Sequence, residues 1–537
     1  MEIYDYVIVG AGSAGCVLAN RLTQDGKSKV LLIEAGPDDR RFWIQVPIGY
    51  GKSFYNPAVN WMYTSEPVEA FGGRTSYWPR GKVLGGSSSI NAMVYIRGQA
   101  QDYEDWREAG NPGWGWDDVL PLYKRMESHA WGESEYHGGS GPLHIHVPAD
   151  RLHPSCEHFF RAGEELGLPR NLDFNGADQR GVGHYQVTVR NGMRMSAARA
   201  YLWPARKRPN LRIITNAEAR RIRFDGKRVA GVDYVKDGKT VQVRASREVI
   251  LSGGSVNSPK LLMLSGIGAA EDLQKHDIPV HHDLPAVGRN LLDHVDCGVI
   301  YKSKVPTLND ELYPLWGKLW AGMKYVLARK GPLSLSVNHG GGFFCVGPNQ
   351  TRPNIQLYFS PLSYTRVPAG TRALMSPDPY SAFNLSISPC RPTSRGQISL
   401  RPGDPHGAPV IEPNYLSTDH DKFEITEGMR FLLKLGRTDA MRKIVEEPVE
   451  PFPKGDDDES LMEYIRGRAV TVFHPVSTCK MGPAGPDTVV GPDLKVHGVL
   501  GVRVADASIF PTLTSGNTNA PSIMVGEKAS DLILSDR

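Results

Sequence analysis

The sequence predicts an α/β fold (α+β overall), in which a parallel βαβ-type domain is combined with a discontinuous second domain on an antiparallel sheet flanked by helices. Three observations carry this prediction. An apolar run near the N-terminus leads directly into Gly10-Ala11-Gly12-Ser13-Ala14-Gly15. A later strand-like run, Glu248-Val249-Ile250-Leu251, leads into Ser252-Gly253-Gly254-Ser255. From about residue 300 to 460 the texture changes to longer mixed segments without a glycine fingerprint.

Tyr6-Val7-Ile8-Val9 suits a buried parallel strand, the following helix carries Val17, Leu18 and Leu22, and Val30-Leu31-Leu32-Ile33 forms the next strand, ending in Glu34. This is a Rossmann-type unit with its acid in place. Gly10 permits the tight turn, Gly12 lets the backbone approach a pyrophosphate, and Gly15 lets helix and strand pack closely. The helix N-terminus offers N–H groups and partial positive charge to phosphates. Glu34 can accept hydrogen bonds from ribose hydroxyls and would repel a 2′-phosphate, which disfavours NADP. NAD and FAD stay indistinguishable from this unit alone.

At 537 residues the chain exceeds one ordinary core, so two to four domain-sized units are expected. A net charge of +4 on that length points neither to nucleic acid nor to an acidic partner. The first strand begins too close to Met1 for a signal peptide, and no apolar run is long enough to span a membrane, so a cytoplasmic location is expected. The six cysteines lack CxxC spacing and read as reduced thiols, with Cys479 a small buried filler rather than a redox group. His144 and His146, and the pair His281-His282, lack a third ligand at sensible spacing, so no metal site is expected.

Phe42 to Phe71 reads as a long ordered loop of the kind that forms lids. In Trp78 to Asn91 a dense run of Gly and Ser, including Gly85 and Ser88, brings backbone N–H groups close to a flat or anionic ligand. Asn210 to Ile214 and Arg228 to Val232 alternate as antiparallel strands do. Glu248 to Leu251 reads as a strand returning to the first sheet, followed by a helix from Lys260 to Ser265 with Pro259 at its first turn. Leu312, Trp316, Leu319, Trp320, Met323, Val326 and Leu327 recur at helical spacing among Lys318, Lys324, Arg329 and Lys330. Such a basic amphipathic helix could lie on a membrane; packing against a sheet is the reading adopted. Asp456 to Glu459 reads as an N-terminal charge cluster of a helix.

Near the C-terminus, His474-Pro475 and Gly516-Asn517-Thr518-Asn519 flank an apolar strand that ends in Asp506. The histidine is a ready proton acceptor and the asparagine a neutral hydrogen-bond donor. Together they point to acid–base chemistry on something placed between them.

Taken with Gly81 to Asn91, Gly254-Ser255, Ser258-Pro259, Ser265-Gly266-Ile267-Gly268 and Gly288-Arg289-Asn290-Leu291-Leu292-Asp293-His294, these motifs resemble those of the glucose–methanol–choline (GMC) oxidoreductases. The resemblance runs from residue 3 to about 533 and is nearest to the choline-dehydrogenase-like and aliphatic alcohol dehydrogenases. It implies FAD as the cofactor. Positions matching Ser13, Ala14, Glu34, Ala35, Val83, Asn91, Ala92, Val94, Ala219, Asp506, Ala507, Asn517 and Thr518 line the flavin in that family. Met93 and Ser252, together with Gly10, Gly12, Gly15, Gly85 and Ser88, complete the expected cofactor-binding set. Some relatives attach the flavin through a histidine just before the conserved Asn; Ile90 stands there, so non-covalent FAD is expected.

The resemblance also implies an FAD-binding domain from 1–155, 196–300 and 466–537, and a substrate domain from 156–195 and 301–465. It implies His474 as the base and Asn517 as its partner on the substrate oxygen, with His294 in a packing and hydrogen-bonding role. The reaction implied is oxidation of a primary, aliphatic alcohol to the aldehyde, with electrons passed to a quinone or similar acceptor. An O₂-using oxidase and a hydroxynitrile lyase with structural FAD are the alternatives. An unperturbed imidazole base would make activity rise through pH ~6.5.

Overall fold

A computed structural model describes residues 2–365 and 376–537. Its first sheet is built around five parallel strands, in the order Leu211–Ile214, Val30–Ile33, Glu2–Val9, Lys239–Leu251 and Val502–Val504. Where they lie side by side at the centre, over Tyr6–Val9, Val30–Ile33, Val249–Leu251 and Val502–Val504, their side chains are buried, as expected of a parallel sheet covered on both faces. Arg228–Lys236 and Ala217–Asp225 extend the sheet as antiparallel strands along the outer half of Lys239–Leu251.

Leu211–Ile214 was expected to be antiparallel and instead runs parallel to Val30–Ile33. It is an edge strand with one face half-covered, and its alternation reports that partial burial rather than strand direction.

All five parallel strands point their carboxyl ends to one edge, where Gly10, Glu34, Ser252 and Ala505-Asp506 follow in turn. That edge is where α/β sheets place ligands. Gly10 there has φ +97°, and a Cβ on it would lie 2.4 Å from the Ser252 carbonyl oxygen. A Cβ on Gly15 would lie 2.0 Å from the Gly10 carbonyl oxygen, so the helix Ser13–Leu22 could not approach the turn with any larger residue.

The second sheet is antiparallel throughout: Val445–Pro448, Val295–Ser303, Ala382–Pro389, Ile355–Ser360, Gly340–Phe344 and Gly181–His184, in that order. Val470–Thr471 pairs with the start of Val295–Ser303, and Val476 bridges Leu292. The chain around 291–296 therefore runs beside 470–476, which sets Asp293 and His294 against His474.

Several local expectations change. The 42–71 segment is ordered by short helices at Phe42–Gln45 and Tyr50–Ser53 and a two-residue strand at Tyr63–Thr64. The helix after the second glycine cluster begins at Gly254, so Pro259 lies inside it rather than at its first turn. Proline there cannot donate to the Ser255 carbonyl; the Thr478 hydroxyl donates to that oxygen instead, at 2.7 Å. As expected, Asp457 caps the helix Asp458–Arg468 by accepting from the Ser460 N–H.

The helix expected over 312–327 is broken by Pro314 into Leu308–Leu312 and Leu315–Ala328, and it does not bury its apolar stripe. Only Ala321 and Tyr325 of the second piece are buried. The sheet-packing expectation is thus overturned: once Ala321 and Tyr325 are seated, the aromatic side of the helix faces outward.

Candidate active site

A cavity of about 870 Å³ opens at the carboxyl edge of the parallel sheet and extends to the second sheet. Its nucleotide end is lined by Gly10, Gly12, Ser13, Ala14, Glu34, Ala35, Ala219 and Ser252, and its far end by Asn91, Ala92, Met93, Val94, His474, Asp506, Ala507, Asn517 and Thr518. Four residues of the expected cofactor-binding set do not line it. Gly15 lies behind the turn against Gly10, and Val83 packs in the core with Ile44 and Val59. Gly85 donates its N–H to the Ala11 carbonyl at 2.7 Å, and Ser88 bonds the Gly85 carbonyl and the Ala197 N–H. These four brace the wall rather than form it; sequence spacing cannot separate a lining residue from the one that supports it.

The nucleotide end fits a dinucleotide on its own evidence. The helix Ser13–Leu22 begins at Gly12 without any side-chain cap, leaving its N-terminal N–H groups open to the cavity. A Cβ on Gly12 would meet nothing in the protein closer than Ser252 O at 3.7 Å. Protein packing does not demand glycine there, whereas close approach of a pyrophosphate does. Glu34 accepts from the Ala11 and Gly36 N–H groups at 2.9 Å each, and burial pushes its carboxyl up to about 7. Ribose hydroxyls donating to its remaining lone pairs would offset that cost.

The C-terminal helix Asn519–Ser535 locks this end to the far one. It packs so tightly on Ser13–Leu22 that a Cβ on Gly526 would come within 2.9 Å of Ala14 O, and the Ser13 hydroxyl donates to Asn519 Oδ1 at 2.9 Å. Asn517 and Thr518, just before that helix, are thereby held in the cavity wall. Arg194, which sequence reasoning missed, is fully buried and donates to the Asn91 and Ser88 carbonyls and to Ile44 O, bolting the 42–53 segment to the Gly/Ser run.

His474 Nε2 lies 3.2 Å from Asn517 Nδ2, and His474 Nδ1 lies 3.0 Å from His294 Nδ1. Hydrogen positions follow from the two ends of this chain of bonds. His294 Nε2 lies 2.8 Å from the Cys390 carbonyl, which can only accept, so it carries the proton and His294 Nδ1 is a lone pair. His474 Nδ1 must then be the N–H, which leaves Nε2 as a lone pair. From the other end, Tyr185 Oη donates to Leu357 O and accepts from Gln356 Nε2, which also donates to Asn517 Oδ1 at 3.3 Å. The amide of Asn517 is thus turned with its N–H₂ toward His474. Both ends require the same arrangement: a basic Nε2 beside an amide donor that keeps a second N–H free.

The backbone of His474 is held as firmly. Its N–H donates to Asp293 Oδ1 at 2.7 Å, while Tyr415 and Thr471 hydroxyls donate to Oδ2. These donors oppose the effect of burial, and Asp293 sits at about 6, ionised at neutral pH. Phe473 adopts a left-handed φ of +68°, a conformation that non-glycine residues tolerate only when pinned. Its N–H donates to Thr471 Oγ1 and its carbonyl accepts from Arg80, which supply the pins. Asp293 and the Nδ1 partnership of His294 were not foreseen, although both lie in a motif visible in the sequence.

Burial, then His294, then the Arg80 cation hold the His474 imidazole well below its ordinary 6.5. This corrects the expectation of a rise through pH ~6.5. Protonation removes the lone pair, so activity falls only as pH drops through the lowered value. The acid limb of kcat/KM is expected below pH ~6.5, with a flat profile from about 6.5 to 8; a limb centred at 6.5 or above would contradict the buried geometry.

Cys479 is fully buried, and burial pushes its thiol well up, as befits a packing residue. Among the described residues no group of three His, Cys, Asp or Glu side chains is placed to hold a metal ion.

Family models described as GMC oxidoreductase match residues 4–296 and 392–526. The chain belongs to the GMC oxidoreductase family. It is 42% identical over 536 residues to "Alcohol dehydrogenase [acceptor]" of Pseudomonas putida, covering 99% of this chain and 96% of that one. It is 41% identical over 539 residues to "Choline dehydrogenase, mitochondrial" of Mus musculus, covering 99% and 89%. Among solved structures, a formate oxidase of Aspergillus oryzae studied for modification of its FAD superposes with a TM-score of 0.92 at 27% identity, covering 100% of this chain and 99% of that one. This GMC protein is therefore an enzyme, an FAD-dependent oxidoreductase.

Proposed function

We propose that this enzyme oxidises a primary, aliphatic alcohol to the aldehyde and passes the electrons to a quinone or similar acceptor. The observation that carries the reading is the fixed direction of the hydrogen-bond chain from Cys390 to Tyr185, which leaves a basic Nε2 on His474 beside a donor N–H on Asn517 in the cavity. His474 Nε2 takes the hydroxyl proton. The free N–H of Asn517 donates to the substrate oxygen and steadies the negative charge that develops there without itself titrating. When bound, FAD supplies the hydride acceptor at its N5.

The glycine turn Gly10–Gly15, Glu34 and Ala35 would hold its dinucleotide portion, and Asn91 to Val94 with Asp506, Ala507 and Thr518 its ring. Attachment is non-covalent in this reading: Ile90 is buried in the wall, and His474 is the one histidine among the described lining residues. The division at 1–155, 196–300 and 466–537 for the FAD-binding domain, and 156–195 and 301–465 for the substrate domain, belongs to the same proposal, as does a cytoplasmic location.

A second reading, oxidation of choline or a similar amino alcohol, is favoured by one feature. Asp296 is among the residues that line the cavity, as are Tyr358, Tyr364, Trp61 and Phe473, and Tyr358 lies near enough to feel its charge. A carboxylate among aromatic faces suits a quaternary ammonium. Phe359 does not join them: it is packed against Phe159 in the core.

An anaerobic screen of short and long alkanols, benzyl alcohols, polyols and choline, followed by admission of either a quinone or O₂, separates these readings. Alkanols are expected to bleach the flavin fastest, and the quinone to reoxidise it faster than O₂. Preference for choline selects the second reading, faster reoxidation by O₂ makes the enzyme an oxidase, and cyanide release from a cyanohydrin without bleaching makes it a lyase.

A further inference from the structure

The helix Leu315–Ala328 turns an unusual surface outward. Trp316 is 80% exposed, Leu327 79% and Leu315 69%, and Leu319, Trp320, Met323 and Val326 are exposed beside them. So large a contiguous apolar face on a water-facing surface marks an interaction site. The helix is nonetheless fixed to the body. Ala321 and the neighbouring Leu308 and Leu312 are buried in a cluster with Tyr50, Met93 and Val337, three residues that line the active-site cavity.

The charges on the helix and just beyond its C-terminal end are all of one sign. Lys318, Lys324, Arg329 and Lys330 accompany it, and no aspartate or glutamate occurs between Glu311 and Asp378. The Lys324 ammonium lies 5.4 Å over the Trp320 ring, a cation and an aromatic ring presented together. Phe42 and Trp43, also exposed, stand on the 42–53 segment, with Lys52 4.6 Å over the Trp43 ring.

We infer that this face docks the enzyme on an anionic lipid bilayer. Exposed Trp and Leu side chains would enter the boundary between headgroups and acyl chains while the lysines and arginines meet lipid phosphates. The helix lies on the surface and does not cross it: its 14 residues span only about 21 Å against a hydrocarbon core of about 30 Å. Among the described residues no helix is long and apolar enough to span. A second copy of the chain is the poorer occupant, because a two-fold contact would set the same lysines and arginines face to face, and the helix itself carries no acid to pair with them. The inference is independent of which alcohol is oxidised.

The test is co-sedimentation of the FAD-loaded enzyme with vesicles of phosphatidylcholine, with and without phosphatidylglycerol. The enzyme is expected to sediment with the anionic vesicles and to be released as salt is raised. Combining Trp316→Ser with Leu327→Ser should weaken partitioning at least about tenfold while turnover in vesicle-free buffer is unchanged. Combining Lys318→Gln with Lys324→Gln should remove the preference for phosphatidylglycerol. The inference is overturned if the unaltered enzyme stays in the supernatant with both vesicles, or if the serine variant binds as well as the parent. It is equally overturned if the parent forms a dimer that the serine variant abolishes.

Discussion

Replacing His474 by alanine is expected to leave a yellow, folded flavoprotein that substrate no longer bleaches. Anaerobic stopped-flow should show flavin reduction slowed about 10²- to 10⁴-fold, the range a positioned general base contributes. That corresponds to about 3–5 kcal/mol of barrier. FAD content should stay near stoichiometric, because the residues proposed to hold the dinucleotide, Gly12, Glu34 and the open helix N-terminus, lie at the other end of the cavity. The fold should survive as well: Asp293 is bonded to the backbone N–H of residue 474, which alanine retains. Near-normal bleaching in this variant would remove His474 from the role of base.

Loss of His294 should produce the second-largest effect, through a different cause. Its Nδ1 lone pair obliges His474 to carry its proton on Nδ1 and to leave Nε2 free. In His294→Met, of similar bulk but without an acceptor, His474 can place its proton on Nε2, and the productive tautomer becomes a fraction of the population. Flavin reduction is expected to fall about 10- to 100-fold, less than for His474→Ala because the base is still present. His294 also helps to depress the ionisation of His474, so its removal should move the acid limb of the pH profile upward. In His294→Gln a carbonyl oxygen can accept from His474 Nδ1, and part of the rate should return. Equal rates in the Met and Gln variants, with an unmoved acid limb, would reduce His294 to packing.

Gly10 to Gly15 and Glu34 are legible in the sequence because a glycine turn between apolar strands is a local device whose spacing is fixed by backbone geometry. His474 and Asn517 are legible for a related reason: residue types that titrate or donate are few, and their motifs are short. That His294 forms hydrogen bonds was legible, but its partner and the tautomer it sets on His474 were not. They depend on the antiparallel pairing of 291–296 with 470–476, and on a carbonyl at Cys390 contributed by a third strand region. Val83, Gly85 and Ser88 sit one layer behind the cavity for a similar reason, since which side of a turn faces a ligand is decided by what packs on its other side.

The helix at 315–328 shows the same boundary from the opposite direction. Its helical period and its lysines are written in the sequence, yet the period alone cannot say whether an apolar stripe meets a sheet or solvent. The sequence by itself determined the βαβ unit, the family resemblance and the choice of a histidine and an amide as partners, because each rests on local backbone or side-chain chemistry. Only the tertiary structure decided which nitrogen of His474 is basic, which residues line the cavity and which face of that helix is left bare. Each of these depends on partners brought from distant parts of the chain, and a hydrogen bond or a buried surface has no direction until its partner is in place.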